Sequence, residues 1–326
     1  MISASSWAQK KPTPPPVGNP AIAFLSRSAW AHIDLMVMDA DGANKITILN
    51  GTKAPGYGYY APQWSPSGEW IVVARTDGEC TSQSEGIFLV KKDGTGLCKV
   101  GPMVNTPGGL HGYPQWSPDG LRLIYSDSEP PVEWGASFYM LDAVCSAPTR
   151  IHVGHLIHGY FADLTLSPDG SKLAAHVVDE PVPPATEPTY RLFVYSMVRD
   201  EEGGWLEAVP LVELTSQGPL AGAEICGIDW ANDPYVDKLA VGARYQTQAA
   251  RDIYVINLND PYNPVNITNT PDKGEMSPSW SPLDDQIVYV REGNIYKMNA
   301  DGSSQQLLAT HAKNRALGGP AWRRNQ

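Results

Sequence analysis

The sequence has no apolar run of the roughly 18 residues that a membrane helix needs. It is short of positive charge: 24 Lys and Arg stand against 35 Asp and Glu, a formal net charge of −11. A nucleic-acid binder ordinarily shows a basic footprint, so that class is set aside, and basic or cationic partners are favoured. Cysteine is sparse, with four residues and no C-x-x-C pair, which removes the spacing of a structural zinc site. There is no G-x-S-x-G nucleophile elbow and no phosphate-binding glycine loop. Phe occurs 5 times against 10 Trp and 15 Tyr, so the aromatic side chains mostly carry a polar end.

Turn chemistry, by contrast, is plentiful, with 30 Gly and 29 Pro. It is periodic. "APQWSPSGEWIVVA" at 61–74, "YPQWSPDGLRLIYSD" at 113–127 and "SPSWSPLDDQIVYV" at 277–290 are one sentence written three times. Aligned on the residue that ends each first run, the positions are Trp64, Trp116, Leu166, Trp230, Trp280 and Trp322, spaced 52, 50, 64, 50 and 42 residues apart. A period of this size marks a repeat architecture.

Each unit has the same parts. A short strand ends at the Trp. A Ser-Pro-Asp-Gly turn comes after it, in which Pro presets φ, Asp caps and Gly accepts a left-handed conformation. Next comes a period-two run such as "LRLIYS". A third run ends in a hairpin signal, as in "DLMVMDADG", "DIYVINLND" and "NIYKMNADG". A fourth run closes the unit. Four antiparallel strands per unit predict a propeller blade, with the Trp packed between neighbouring blades. The segment 21–49 supplies second, third and fourth strands only, and 319–323 supplies a first strand with no successor. Joined, they complete a sixth unit. The prediction is an all-β, six-bladed β-propeller over residues 21–326, its ring closed by the C-terminal strand joining the N-terminal blade.

This grammar resembles the TolB-type β-propeller repeat over residues 21–323. Good Ser-Pro turns stand at Ser65, Ser117, Ser167 and Ser281. Unit 5 departs with Ala231-Asn232-Asp233-Pro234, and unit 1 with Arg323-Arg324. The TolB protein acts in the periplasm with a lipoprotein partner, so the resemblance implies an envelope setting and binding of a protein. Similar propellers also accompany hydrolase domains in dipeptidyl-peptidase-like enzymes, a domain for which this chain has no room.

Residues 1–20, "MISASSWAQKKPTPPPVGNP", read as a Pro-rich leader. It is either the tail of a secretory signal or a disordered tether, with assembly through the leader as one use. A periplasmic or extracellular location is expected. Cys80 and Cys98 fall in one unit, so either a disulfide between them or free thiols is expected; Cys145 and Cys226 should not meet.

Second-to-third and unit-to-unit connections are long and irregular, whereas the other turns are short. Function is expected on the face that carries the long loops. Those loops are 76–85, 127–135, 179–189 and 243–251, and they concentrate Glu79, Glu85, Asp127, Glu129, Glu133, Asp179, Glu180 and Glu187. Where the first strands enter the channel mouth, the candidate binding residues are Tyr57, Tyr59, His111, Tyr113, His158, Tyr160, Asp163, Glu224 and Glu275. No cofactor is expected. His111, His155, His158, His311 and Glu275 could converge on a metal, but no ligand pair sits at i, i+4 on a rigid helix, and no metal site is assigned. The leading expectation is a non-catalytic scaffold that presents the mouth and the acidic loops to a protein or peptide. The alternative is a carbohydrate-active lyase or hydrolase, with His111 or His158 as base, a Tyr as proton donor, and Asp163 or Glu275 orienting the substrate or binding a metal.

Overall fold

The computed structural model describes residues 21–28, 32–51, 57–76, 86–100, 112–127, 135–142, 145, 150–152, 157–158, 160–179, 189–201, 205–244, 248–270, 272–311 and 315–324. Their regular structure is β, apart from one 3₁₀ turn at Gly218–Leu220. Unit 1 contains β1 (Ile22–Ser28), β2 (His32–Met38) and β3 (Ile46–Leu49), and receives β25 (Arg315–Trp322). Unit 2 is β4 (Tyr57–Trp64), β5 (Trp70–Thr76), β6 (Gly86–Lys91) and β7 (Cys98–Lys99). Unit 3 is β8 (Gly112–Trp116), β9 (Arg122–Asp127), β10 (Gly135–Asp142) and β11 (Arg150–His152), with the short β12 (Ile157–His158) beside the start of β10. Unit 4 is β13 (Tyr160–Leu166), β14 (Lys172–Asp179), β15 (Thr189–Arg199) and β16 (Trp205–Glu213). Unit 5 is β17 (Glu224–Trp230), β18 (Lys238–Arg244), β19 (Asp252–Asn257) and β20 (Asp260–Asn266). Unit 6 is β21 (Glu275–Trp280), β22 (Gln286–Arg291), β23 (Asn294–Asn299) and β24 (Gln306–Ala309).

Within a unit, successive strands pair antiparallel. Units 3, 4, 5 and 6 are separate sheets, while units 1 and 2 run into one eight-stranded sheet. Two parallel rungs make that junction, His32↔Tyr57 and Ile33↔Gly58. Gly58 permits it, because a Cβ there would lie 2.4 Å from the Cβ of Ile33. The C-terminal strand pairs with the first strand of the described chain: Ile22 faces Trp322 and Ser28 faces Arg315.

The Ser-Pro turns work as the sequence implies. Ser117 Oγ accepts the Arg122 N–H at 2.9 Å, and Asp119 accepts the Leu121 N–H at 2.9 Å. Equivalent serine bonds recur at Trp70, Lys172 and Gln286, at 3.1, 2.9 and 3.0 Å. In unit 5, Asn232 and Asp233 instead bond Asp284 of the next unit. A second device ties third strands to the chain just past the fourth strand. Asp34 accepts the Gly51 N–H, Asp252 the Thr270 N–H, and Asn294 the His311 N–H.

Apolar burial lies between units. Trp64 packs with residues of units 1 and 2, Trp230 between units 4 and 5, Trp280 between 5 and 6, and Trp322 between 6 and 1. Trp116 lines the cluster of units 2 and 3, and Leu166 that of units 3 and 4. Each is a flat or bulky side chain filling the space between two units. The repeat residues are therefore core, as their spacing predicts.

The cysteine reading needs correction. Cys98 is bonded to Cys145, with Cα atoms 5.5 Å apart. Cys98 opens the outermost strand of unit 2, and Cys145 comes after the third strand of unit 3. Neither expected outcome for Cys98, a bond to Cys80 or a free thiol, is found: its partner comes from the adjacent unit. Cys80 lies outside the described residues. Cys226 is a free thiol on β17 whose S–H donates a weak hydrogen bond to the Met276 sulfur at 3.9 Å.

Candidate functional site

All six first strands carry the same irregularity. Opposite the second strand, or β1 for β25, each gains one residue. The slips fall between Tyr60 and Gln63, Gly112 and Gln115, Phe161 and Asp163, Ile225 and Ile228, and Met276 and Ser279, and in β25 between Gly318 and Ala321. A bulge bends a strand and re-aims its side chains. The extra residue sits three before the repeat Trp in five units and has positive φ: Ala61 at 47°, Tyr113 at 60°, Gly227 at 93°, Ser277 at 51° and Gly319 at 52°. Pro comes next in four of them, at Pro62, Pro114, Pro278 and Pro320, a residue with no N–H placed where the ladder is broken.

These bulges surround one cavity of about 480 Å³, to which all six first strands contribute. Its apolar lining includes Leu25, Ile33, Ile228, Met276, Val290 and Leu317, with Pro62, Pro278 and Pro320. Polar groups come from Arg27, Tyr60, Tyr113, Gln115 and Asp163. Arg27 lies near the end of the second strand of unit 1 and Gly293 is the second-to-third turn of unit 6, so the cavity reaches the face on which second-to-third connections lie.

Asp163 takes the position that the other units give to a positive-φ residue. Its Oδ2 accepts the Ile228 N–H of the next unit at 3.0 Å, and its Oδ1 accepts the Leu164 N–H at 2.9 Å. Burial nevertheless pushes its pKa up to about 8, against the pull of those two N–H groups and with a further push from Asp229. Asp229, also buried, accepts the Trp280 N–H at 2.8 Å and pairs with Arg324 at 2.9 Å. Burial raises its pKa, and Arg324 opposes the rise. Across the ladder from Asp163 stands His176, 3% exposed, its ring stacked on Tyr190 and its Nε2 without a hydrogen bond. Burial holds His176 down at about 4, with Glu224 pulling the other way.

Of the nine sequence candidates, the cavity brings together Tyr113 and Asp163. Tyr59 is buried in the core between units 1 and 2, with the Arg75 guanidinium 5.7 Å from its ring, and burial raises its pKa. Glu224 is bonded by Arg244 at 2.5 Å and by Arg251. Burial pushes it up, but the hydrogen bonds and charges of the two arginines outweigh that and hold it below the usual carboxylate range. Glu275 is fully buried, with Arg291 and Thr270 each donating at 2.6 Å. Burial raises its pKa against those bonds. Tyr57, His158 and Tyr160 lie on β4, β12 and β13, and their side chains are outside the described residues, as is His111 altogether. Loop residues 77–85, 128–134 and 180–188 are also outside them, while Asp179 pairs with Arg191 at 2.6 Å. Among the described residues no three His, Cys, Asp or Glu side chains are grouped to hold a metal.

Sequence reasoning missed Tyr60, Pro62, Gly227, Ser277 and Gly319. A signal was there. "APQW", "YPQW", "SPSW" and "GPAW" all place Pro two residues before the Trp, where a central strand should have none.

No protein-family model matches the sequence, and no curated protein matches it significantly. Solved structures do resemble it. The tricorn protease has a TM-score of 0.52 at 10% identity, covering 92% of this chain and 30% of that one. Hydrazine synthase of Kuenenia stuttgartiensis has a TM-score of 0.49 at 12% identity, covering 82% and 71%. A prolyl endopeptidase has 0.47 at 13% identity, covering 90% and 43%. The chain thus spans less than half of either protease. At these identities the likeness concerns fold alone: an all-β architecture of the propeller type.

Proposed function

We propose that the chain is a TolB-type, six-bladed β-propeller acting as a non-catalytic binding scaffold, and that the central cavity and the loops around it receive a segment of a protein or peptide partner. The ring reading is supported by the β25–β1 pairing and by apolar clusters between every two successive units, units 6 and 1 included. Closure of this kind removes the exposed sheet edges of an open array. An exported location, periplasmic or extracellular, is supported by the Cys98–Cys145 disulfide, a bond that persists in oxidising compartments.

One observation carries the binding reading. The cavity is walled mostly by aliphatic side chains and proline, and its carboxylate, Asp163, already accepts two backbone N–H bonds. An acid so engaged organises the wall and offers a polar point for orientation, which is how small sites combine apolar area with a few directed groups.

Gly318 provides the test. It lines the cavity, and a Cβ there meets nothing within 4 Å, so Gly318→Trp has open space in which to leave the backbone and fill part of the cavity. Peptides selected from a displayed library against the wild-type protein should lose binding at least tenfold to Gly318→Trp. Selected peptides that bind both proteins equally would overturn the reading.

A further inference from the structure

We propose, on the footing of the cavity reading, that the partner peptide enters by its free C-terminal residue, whose carboxylate is held by Arg27 while its apolar side chain turns inwards. Arg27 is the next-to-last residue of β1; it is exposed and lines the cavity. Its neighbours across the sheet are Ile33 and Ala316, and Ala316 lies on the mouth side of the bulge in β25. Among the described lining residues Arg27 is the only Lys, Arg or His, and no described residue pairs with its guanidinium. A planar guanidinium with open donors matches a carboxylate at two points.

Below that cation the walls are divided. Tyr113, Gln115 and Asp163 come from units 3 and 4, whereas Ile228, Met276, Val290 and Leu317 come from units 5, 6 and 1. Gln115 is 6% exposed, yet its amide has no hydrogen bond among the described residues. A buried amide in that state calls for a partner, and it can both donate to and accept from a peptide backbone. One wall thus suits main chain, the facing wall suits an aliphatic side chain, and the cation at the mouth suits a carboxylate.

A C-terminal residue carries its carboxylate and its side chain on the same carbon, so one placement satisfies all three. An internal Asp or Glu has its charge at the tip of its own side chain and leaves nothing to fill the apolar wall. A terminal amine finds no open acid: both oxygens of Asp163 already accept backbone N–H groups, and burial keeps that carboxyl protonated below about pH 8. The formal charge of −11 disfavours acidic peptides at long range. Salt screens that field within about 8–10 Å, so a single carboxylate delivered to Arg27 is accepted where an acidic run is not.

The test selects peptides from a library displayed with free C-termini against the full wild-type chain. The selected peptides are synthesised with acetylated N-termini, as free acids and as C-terminal amides, and titrated by calorimetry. Amidation should weaken binding about tenfold or more, and Arg27→Gln should weaken the free acids as much. The two together should cost little beyond either alone, because both remove one contact. Arg27→Lys should restore part of the loss, and Arg27→Gln should melt with the wild type; a large drop in its melt would trace the effect to folding and overturn the proposal. Amides that bind as tightly as acids, while Gly318→Trp still weakens both, would overturn the proposal and leave the cavity reading standing. So would a carboxylate effect untouched by Arg27→Gln, or binding that depends on an internal Asp or Glu of the peptide. Peptides indifferent to Gly318→Trp, or a library that yields no binder, would overturn both.

Discussion

Asp163 and His176 share one rung of the β13–β14 ladder and are displaced in opposite directions by burial. Their linkages differ accordingly. Asp163 has a folded pKa of about 8 against 3.8, so the folded state holds a proton that the unfolded chain has released. Stability from this group is complete below about pH 4 and is lost as pH rises towards 8. His176 has a folded pKa of about 4 against 6.5. Its contribution is complete above 6.5 and is lost as pH falls towards 4. Asp163→Asn removes the alkaline loss and keeps an acceptor for Ile228. Chemical denaturation should find the variant's advantage over wild type smallest near pH 4 and growing to roughly 2–4 kcal/mol by pH 9, a figure reduced from full linkage because Asp163 lines an open cavity. The acid limb, to which His176 and the arginine-paired Glu224 contribute, should be unchanged. A variant that gains nothing at alkaline pH would show that the carboxylate ionises freely in the fold.

The repeated bulge invites a paired test. Ala61 and Gly227 occupy the same position in units 2 and 5, both at positive φ. Ala61→Gly relieves a side chain from the left-handed region and should stabilise by about 0.5–1 kcal/mol. Gly227→Ala should do the reverse and more, because its Cβ would lie 2.4 Å from the Ser277 Cα of the next unit's first strand. Thermal melts of the two variants against wild type decide it, and shifts of the same sign would refute the shared geometry. These positions also mark the limit of what was legible beforehand. The Trp spacing and the Ser-Pro turns are local signals, and they revealed strand order, turn bonding and the packing role of Trp64, Trp230 and Trp280. The cavity is lined by residues whose direction depends on an extra residue in the ladder. The Trp spacing carries no sign of the extra residue, so in unit 2 the expected lining residue Tyr59 lies in the core while its neighbour Tyr60 reaches the cavity. Glu224 and Glu275 were likewise visible as acids at strand starts, but not as partners of Arg251 and Arg291, which come from later in the chain.

Between units, one covalent bond supplements the packing. Cys98–Cys145 joins units 2 and 3 across a separation of 47 residues. By chain entropy alone, its loss should lower stability by about 4 kcal/mol. Urea denaturation with and without a reductant, repeated on Cys98→Ser combined with Cys145→Ser, checks this; a reductant effect that persists in the double variant would trace it elsewhere. The fold class was readable because six imperfect copies vote together. The cross-unit disulfide was not, because sequence carries no signal of which rims touch.

The seam between β25 and β1 brings the Arg323 N–H within 2.7 Å of the Ala21 carbonyl. A few glycines and serines would therefore suffice to join Arg324 to Ala21, and fresh ends can be cut beside Tyr235, which is 95% exposed in the turn between β17 and β18. Such a circularly permuted chain should fold and melt within a few degrees of the parent, whereas a chain truncated before Arg315 should not fold. The numbering would then start mid-circle, and the architecture would not register the change.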